Sequence, residues 1–125
     1  MSQFNSYQPI YLQLMDIIKQ QIISGVLKKN DRVKSVRDYA FEYGINPNTV
    51  QKALRELERV NILRSESTSG RYVVLHDDAT QQLRNDTVAT QTKAFLSFMR
   101  GCGYGKDDIL KLINDELKRE DVNGE

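Results

Sequence analysis

The 125-residue chain reads as mainly α with one small β-hairpin. Three observations say so. Apolar residues recur at helical spacing over most of the chain. The period changes once, after Asn61, into short runs on either side of a Ser/Gly cluster. Pro, Gly and Asn fall where helices start and stop.

The first helix follows Pro9, with Ile10, Leu14, Ile17, Ile18 and Ile22 on one side. Gly25 closes it as a left-handed residue would. Leu27 and Lys28-Lys29-Asn30-Asp31 read as a turn. Ser35 suits an N-cap, with Asp38 three residues on, and the helix Val36 to Tyr43 stops at Gly44. Asn46 and Pro47 suit the N-cap and first position of the next helix. That helix turns Val50, Ala53, Leu54 and Leu57 inward, and Asn48, Gln51, Lys52, Arg55 and Arg59 outward. Two helices joined by a short Gly-containing turn form a helix-turn-helix unit. Ile62-Leu63, Arg64-Ser65-Glu66, the tip Ser67-Thr68-Ser69-Gly70 and Arg71-Tyr72-Val73-Val74-Leu75 then read as a hairpin. Three helices followed by a hairpin make a winged helix-turn-helix.

Two more helical patterns follow. The first runs from about Thr80 to Arg100 with Val88, Phe95, Phe98 and Met99 in phase, and Gly101, Gly103 and Gly105 break it. The second runs from about Lys106 to Glu120 with Ile109, Leu110, Ile113 and Leu117. Its first turn holds Asp107 and Asp108 and its last Lys118 and Arg119, which suits the helix dipole. Two helices alone bury too little apolar area to stand as a domain. They need the winged helix, a second chain, or both. Fraying is expected from about Asp121.

Charge divides the chain in the same place. Residues 1–75 hold 11 Lys/Arg against 7 Asp/Glu, and residues 76–125 hold 7 against 10, for a net charge of +1. The total excludes a bulk polybasic binder. The asymmetry points to two jobs, and the expected division is a winged helix-turn-helix DNA-binding domain over 1–76 and a two-helix dimerisation or effector segment over 77–125. One Cys and one His exclude an internal disulfide and a metal site of several Cys or His ligands, so no cofactor and no metal is expected. No apolar run approaches the roughly 20 residues that span a bilayer. The start, MSQFNSYQPI, lacks the regions of a signal peptide. The expectation is a cytoplasmic protein with no membrane partner, where a lone thiol is ordinary.

At this point the residues resemble the GntR family of bacterial transcription regulators. The likeness runs through Pro9-Ile10-Tyr11-Leu12-Gln13-Leu14, Ile23-Ser24-Gly25-Val26-Leu27, Ser35-Val36-Arg37, Gly44-Ile45-Asn46-Pro47-Asn48-Thr49-Val50 and Leu54-Arg55-Glu56-Leu57-Glu58. Each fragment is weak alone, but their order and spacing are specific. The short tail, with Gly103-Tyr104 before an acidic helix start, resembles the YtrA-like subfamily. The resemblance implies a homodimeric repressor with a tail too small for the larger ligand domains of other subfamilies. The sequence departs from the family pattern in four places. Asn30-Asp31 replaces the usual Pro-Gly, Lys34 the usual Pro, Asn61 the Gly that ends the recognition helix, and Ser67-Thr68-Ser69-Gly70-Arg71-Tyr72 the usual wing tip.

The candidate DNA-binding residues are Lys34, Ser35, Arg37, Asn48, Thr49, Gln51, Lys52, Ser69, Gly70 and Arg71. Arg37 has the planar fork that suits phosphate or guanine, and its bland alternative is a pair with Asp38 or Glu42. Asn48 can read adenine, and Thr49 can bond phosphate or touch a thymine methyl, whereas Asn46 is expected only to cap. Lys52 suits phosphate or a base edge. Arg55 is divided between DNA and a pair with Glu56 or Glu58. Gly70 supplies the tight turn of the wing, and Arg71 would enter the minor groove unless it is an ordinary hairpin charge. Lys28, Lys29 and Arg32 read as a solvated loop and stay outside the base-reading set.

Phe95, Phe98, Met99, Leu110 and Ile113 form the candidate dimerisation set. An apolar effector pocket would use several of the same residues, but stripes at helical spacing usually pack. An unidentified small-molecule effector therefore enters only as a secondary partner. Cys102 and His76 show no surrounding pattern that would make them reactive or ligating. The expected function is sequence-specific binding of a double-stranded operator with inverted-repeat symmetry. A winged-helix adaptor for proteins is the alternative, and an apolar or acidic recognition face would favour it. No nucleophile–base motif or phosphate loop argues for an enzyme.

Overall fold

The computed structural model describes residues 4–122. In order they form α1 (Ile10–Ile23), α2 (Val36–Tyr43), α3 (Pro47–Arg59), β1 (Leu63–Glu66), β2 (Gly70–Val73), α4 (Asp77–Gly101) and α5 (Lys106–Val122). Two compact units result, one up to Arg84 and one from Asn85.

The first unit is the winged helix. Its core joins Leu14, Ile18 and Ile22 of α1, Tyr39 of α2, Val50, Ala53, Leu54 and Leu57 of α3, and Ile62, Leu63 and Val73 of the hairpin. All four residues expected to face inward on α3 are fully buried. Gln13 is buried as well, and its polar atoms are satisfied. Its Nε2 donates to the carbonyls of Asn5 at 3.0 Å and Gln8 at 2.8 Å, and its Oε1 accepts from the Asn5 amide at 2.9 Å. The segment before α1 is thereby pinned to it.

The helix ends follow from single residues. Ser35 Oγ accepts from the Asp38 amide at 3.0 Å, and Gly44 closes α2 at φ +65°. The end of α3 is a Schellman motif made by a non-glycine residue. Asn61 adopts φ +62°, its amide donates to the Glu58 carbonyl at 3.0 Å, and the Ile62 amide donates to Leu57 at 2.9 Å. That turn delivers Ile62 and Leu63 to the core.

The hairpin is antiparallel, with Leu63 opposite Val73 and Glu66 opposite Gly70. It has a third edge that the sequence reading missed. The Lys28–Asp31 turn ends at Asn30, where φ is +73°, and the chain then runs along β2. The Asn30 amide donates to Val73 at 2.8 Å, the Val73 amide to Asp31 at 2.9 Å, and the Val33 amide to Arg71 at 3.0 Å. The outer edge of β2 needed these partners, which hydrophobic periodicity does not report.

Helix α4 begins at Asp77 rather than near Thr80, because Asp77 and Asp78 fit the first turn and the Thr80 amide reaches the His76 carbonyl at 2.9 Å. Within the first unit Arg84 Nη2 donates to the Ile23 carbonyl at the end of α1 at 2.7 Å.

The second unit joins the rest of α4 to α5 through Gly103, at φ +92°. The Tyr104 amide donates to Met99 at 3.1 Å and Asp108 Oδ2 accepts the Gly105 amide at 3.2 Å. Helix α5 continues two residues past the expected Glu120, through Asp121 and Val122 where fraying is expected, and 123–125 lie outside the described residues. Among the described residues of this unit Ile109 is buried.

Candidate nucleic-acid interface

Helix α3 is a strongly divided surface. Behind it lie Val50, Ala53, Leu54 and Leu57. In front, Asn48, Gln51, Lys52 and Arg55 follow at offsets of three, four and seven, which places them on one face. Asn48, Lys52 and Arg55 are exposed, and Thr49 and Gln51 are half-buried. Asn46 Oδ1 accepts the Asn48 amide at 2.7 Å, and Asn46 acts as the cap expected of it. The first turn contains no acid, so its amide dipoles and side chains offer no repulsion to phosphate.

Arg37 lies in the first turn of α2, exposed, and no ion pair among the described residues uses it. Of its two alternative partners, Glu42 pairs with Lys34, and no ion pair among the described residues joins Arg37 to Asp38. That pair raises the Lys34 pKa, chiefly through the hydrogen bond to Glu42. Both side chains are well exposed, so the pair is a weak one that phosphate can replace. Lys52 Nζ stands 4.1 Å above the Tyr11 ring, a cation–π contact that fixes the lysine beside α1 while leaving it exposed.

The wing differs from its sequence reading in its cations. Arg71 does not project freely: its side chain is only 18% exposed and its Nε donates to Glu58 near the end of α3. Ser65 Oγ donates to the same carboxylate at 2.7 Å. Burial pushes the Glu58 pKa up, but the bonds from Ser65 and Arg71 outweigh it and the net shift is downward. Arg71 thus ties the wing to the recognition helix, because the β1–β2 register brings Ser65 opposite Arg71 and both against α3. Ser69 is exposed, and its carbonyl accepts from the Tyr72 hydroxyl at 3.5 Å. Gly70 has φ +120°, and a Cβ there would stand 2.7 Å from Arg32 Nε. Arg32 therefore sits on the wing, where the sequence reading saw a loop; only the unexpected third edge could have revealed it.

In the second unit Phe95, Met99 and Ile113 line an open groove of about 430 Å3 with Leu112, Glu116 and Leu117. Phe98 and Leu110, the other two residues of the dimerisation set, are exposed outside it. Cys102 and His76 are exposed, and no group of three potential metal-ligating side chains exists among the described residues. No described helix is long and apolar enough to cross a membrane.

The family model for bacterial regulatory proteins, gntR family, matches residues 10–73. The chain belongs to this family. The match covers the three helices and the hairpin that carry the candidate interface. The HTH-type transcriptional regulator YhcF of Bacillus subtilis (strain 168) is 30% identical over 112 residues, spanning 90% of this chain and 93% of YhcF. The HTH-type transcriptional repressor YtrA of the same organism is 40% identical over 68 residues, spanning 54% of this chain and 52% of YtrA. A solved GntR family transcriptional regulator from Listeria monocytogenes superposes with a TM-score of 0.78 at 31% identity, covering 90% of this chain and 98% of that one. Within the family the chain is YtrA-like. Its relatives are transcription regulators, not enzymes, and the chain is a DNA-binding regulator of that kind.

Proposed function

We propose that the chain is a homodimeric, cytoplasmic transcriptional repressor that binds an inverted-repeat operator. The observation that carries this reading is the exposed face of α3, with Asn48, Gln51, Lys52 and Arg55 in register and no acid in the first turn. An adaptor would need an apolar or acidic face there.

Residues 1–76 are the DNA-binding domain in this reading. Asn48 and Gln51 have the paired donor and acceptor that read adenine, and Thr49 reaches phosphate or a thymine methyl. Arg37, at the start of α2, takes phosphate or guanine. Lys34, Ser35 and Lys52 add phosphate contacts, and the tip, with Ser69 exposed and Gly70 half-buried beside it, follows the backbone. One recognition helix reads few base pairs, so specificity requires two, about one helical turn apart.

Residues 77–125 supply the second copy. Phe95, Phe98, Leu110 and Ile113 are exposed in the single chain, by 42%, 68%, 50% and 37%, and Met99 lines the groove beside them. Two-fold pairing would cover this surface. An effector in the groove would release DNA only by binding the two dimer states with different affinity.

Selection of duplexes from a random library by the full chain tests the reading. The expected product is an inverted repeat whose half-sites lie about one turn apart. Recovery of no enriched sequence would overturn it in favour of the adaptor.

A further inference from the structure

The Arg55 guanidinium makes no hydrogen bond or ion pair among the described residues, and Glu58 draws it only at longer range. Both carboxylates that follow it on α3 hydrogen-bond to other residues. Glu56 is held by Arg59 at 2.6 Å. Glu58 stands three residues on, the spacing at which an Arg and a Glu normally meet on a helix. Its Oε1 instead accepts from Arg71 of the wing and from Ser65 at 2.7 Å, so Arg55 is attracted to it without a direct bond. Lys52 rests on Tyr11. Arg55 is left exposed, one turn beyond Lys52 and two turns beyond Asn48 on the same face.

Resting on the DNA-binding reading above, we propose that Arg55 is a DNA contact of the recognition helix and that Arg71 is its positioning residue. Arg71 acts by occupying Glu58, the carboxylate that would otherwise capture Arg55. The two arginines compete for one acceptor, and docking of the wing decides the competition. Arg71 suits the buried role, with a side chain only 18% exposed, and Arg55 suits the open one. Glu58 is an active competitor: the bonds from Ser65 and Arg71 hold its carboxyl below the ordinary range, and the Arg55 charge already adds to that pull. The wing thus contributes to recognition from behind the helix as well as through its tip.

The test is fluorescence anisotropy of the full chain on the duplex enriched by selection and on a random-sequence duplex of equal length. Arg55→Ala is expected to weaken binding roughly ten-fold. A phosphate contact would show as similar loss on both duplexes with the salt slope reduced by about 1, and a base contact as loss on the selected duplex alone. Either supports the proposal, and unchanged affinity overturns it. Arg71→Ala should also weaken binding, and adding Glu58→Gln should restore most of the loss, because the competing charge is gone. A double variant as weak as Arg71→Ala would make Arg71 a direct contact and overturn the positioning role. Thermal melts of each variant separate these outcomes from unfolding. If the wild-type chain binds neither duplex, the DNA reading falls and this proposal with it; if Arg37→Ala weakens binding and Arg55→Ala does not, this proposal falls alone.

Discussion

Phe98 is the residue on which the dimer can be tested most sharply. It is 68% exposed in the single chain, more than any other member of the dimerisation set. A Phe side chain carries about 200 Å2 of surface, so about 140 Å2 of it remains open to solvent. At about 25 cal/mol per Å2, covering all of that would contribute about 3 kcal/mol per copy. A two-fold interface uses the residue twice, and allowing that only half the area is covered leaves about 3 kcal/mol per dimer. Phe98→Ser should therefore raise the dimer dissociation constant about 100-fold. The chain's own fold should hardly notice, since the side chain is not in its core. Leu54→Ala, by contrast, should cost about 2–5 kcal/mol of stability, because Leu54 is fully buried. Sedimentation equilibrium across a wide concentration range measures the first quantity and denaturant unfolding the second. A wild-type chain that stays monomeric, or a Phe98→Ser dimer as tight as wild type, would refute the assignment of this surface.

Other predictions rest on single contacts. Asn46→Ala removes the 2.7 Å cap of α3 and should cost about 1 kcal/mol in calorimetry, with weaker DNA binding as the turn bearing Asn48 and Thr49 loosens. Asn61→Ala should destabilise by about 1 kcal/mol, because φ is +62° there, while Asn61→Gly should fold at least as stably. The lowered pKa of Glu58 means that its carboxylate stabilises the wing fully above 4.5 and progressively less as pH falls through the folded value. Acid unfolding of Glu58→Gln should lack that part of the slope. Tyr39 behaves in the opposite sense: burial raises its pKa from 10.0 to about 12, so its contribution is complete below pH 10 and disappears as pH rises towards 12. Tyr39→Phe should flatten the alkaline limb of a stability–pH curve.

The helices were legible because their determinants are local. The caps at Ser35 and Asn46, the stops at Gly44 and Asn61, and the 50-53-54-57 core stripe can each be read within a few residues. What escaped depends on partners far apart in the chain. The pairing of residues 30–33 along β2 exists because β2, about 40 residues later, has backbone groups that β1 leaves open. The inward turn of Arg71 depends on Glu58, and the resting place of Lys52 depends on Tyr11. A basic residue on a hairpin looks the same in sequence whether it faces DNA or anchors the wing. Charge type was therefore readable at the interface, but the allocation of each charge was not. Arg55 shows the consequence: the sequence divides it evenly between DNA and a glutamate, and nothing local in the sequence reports that Arg59 and Arg71 bond to Glu56 and Glu58.

The central claim is that two copies of this chain read a symmetric DNA site through α3. The most direct test is anisotropy on the selected inverted repeat, on a single half-site and on random DNA, titrated in salt, with Arg37→Ala in parallel. The account predicts tight binding to the repeat, much weaker binding to the half-site, a steep decline with salt, and loss of affinity in Arg37→Ala. Equal affinity for the repeat and the half-site would contradict the dimer, and equal affinity for the repeat and random DNA would contradict sequence-specific recognition.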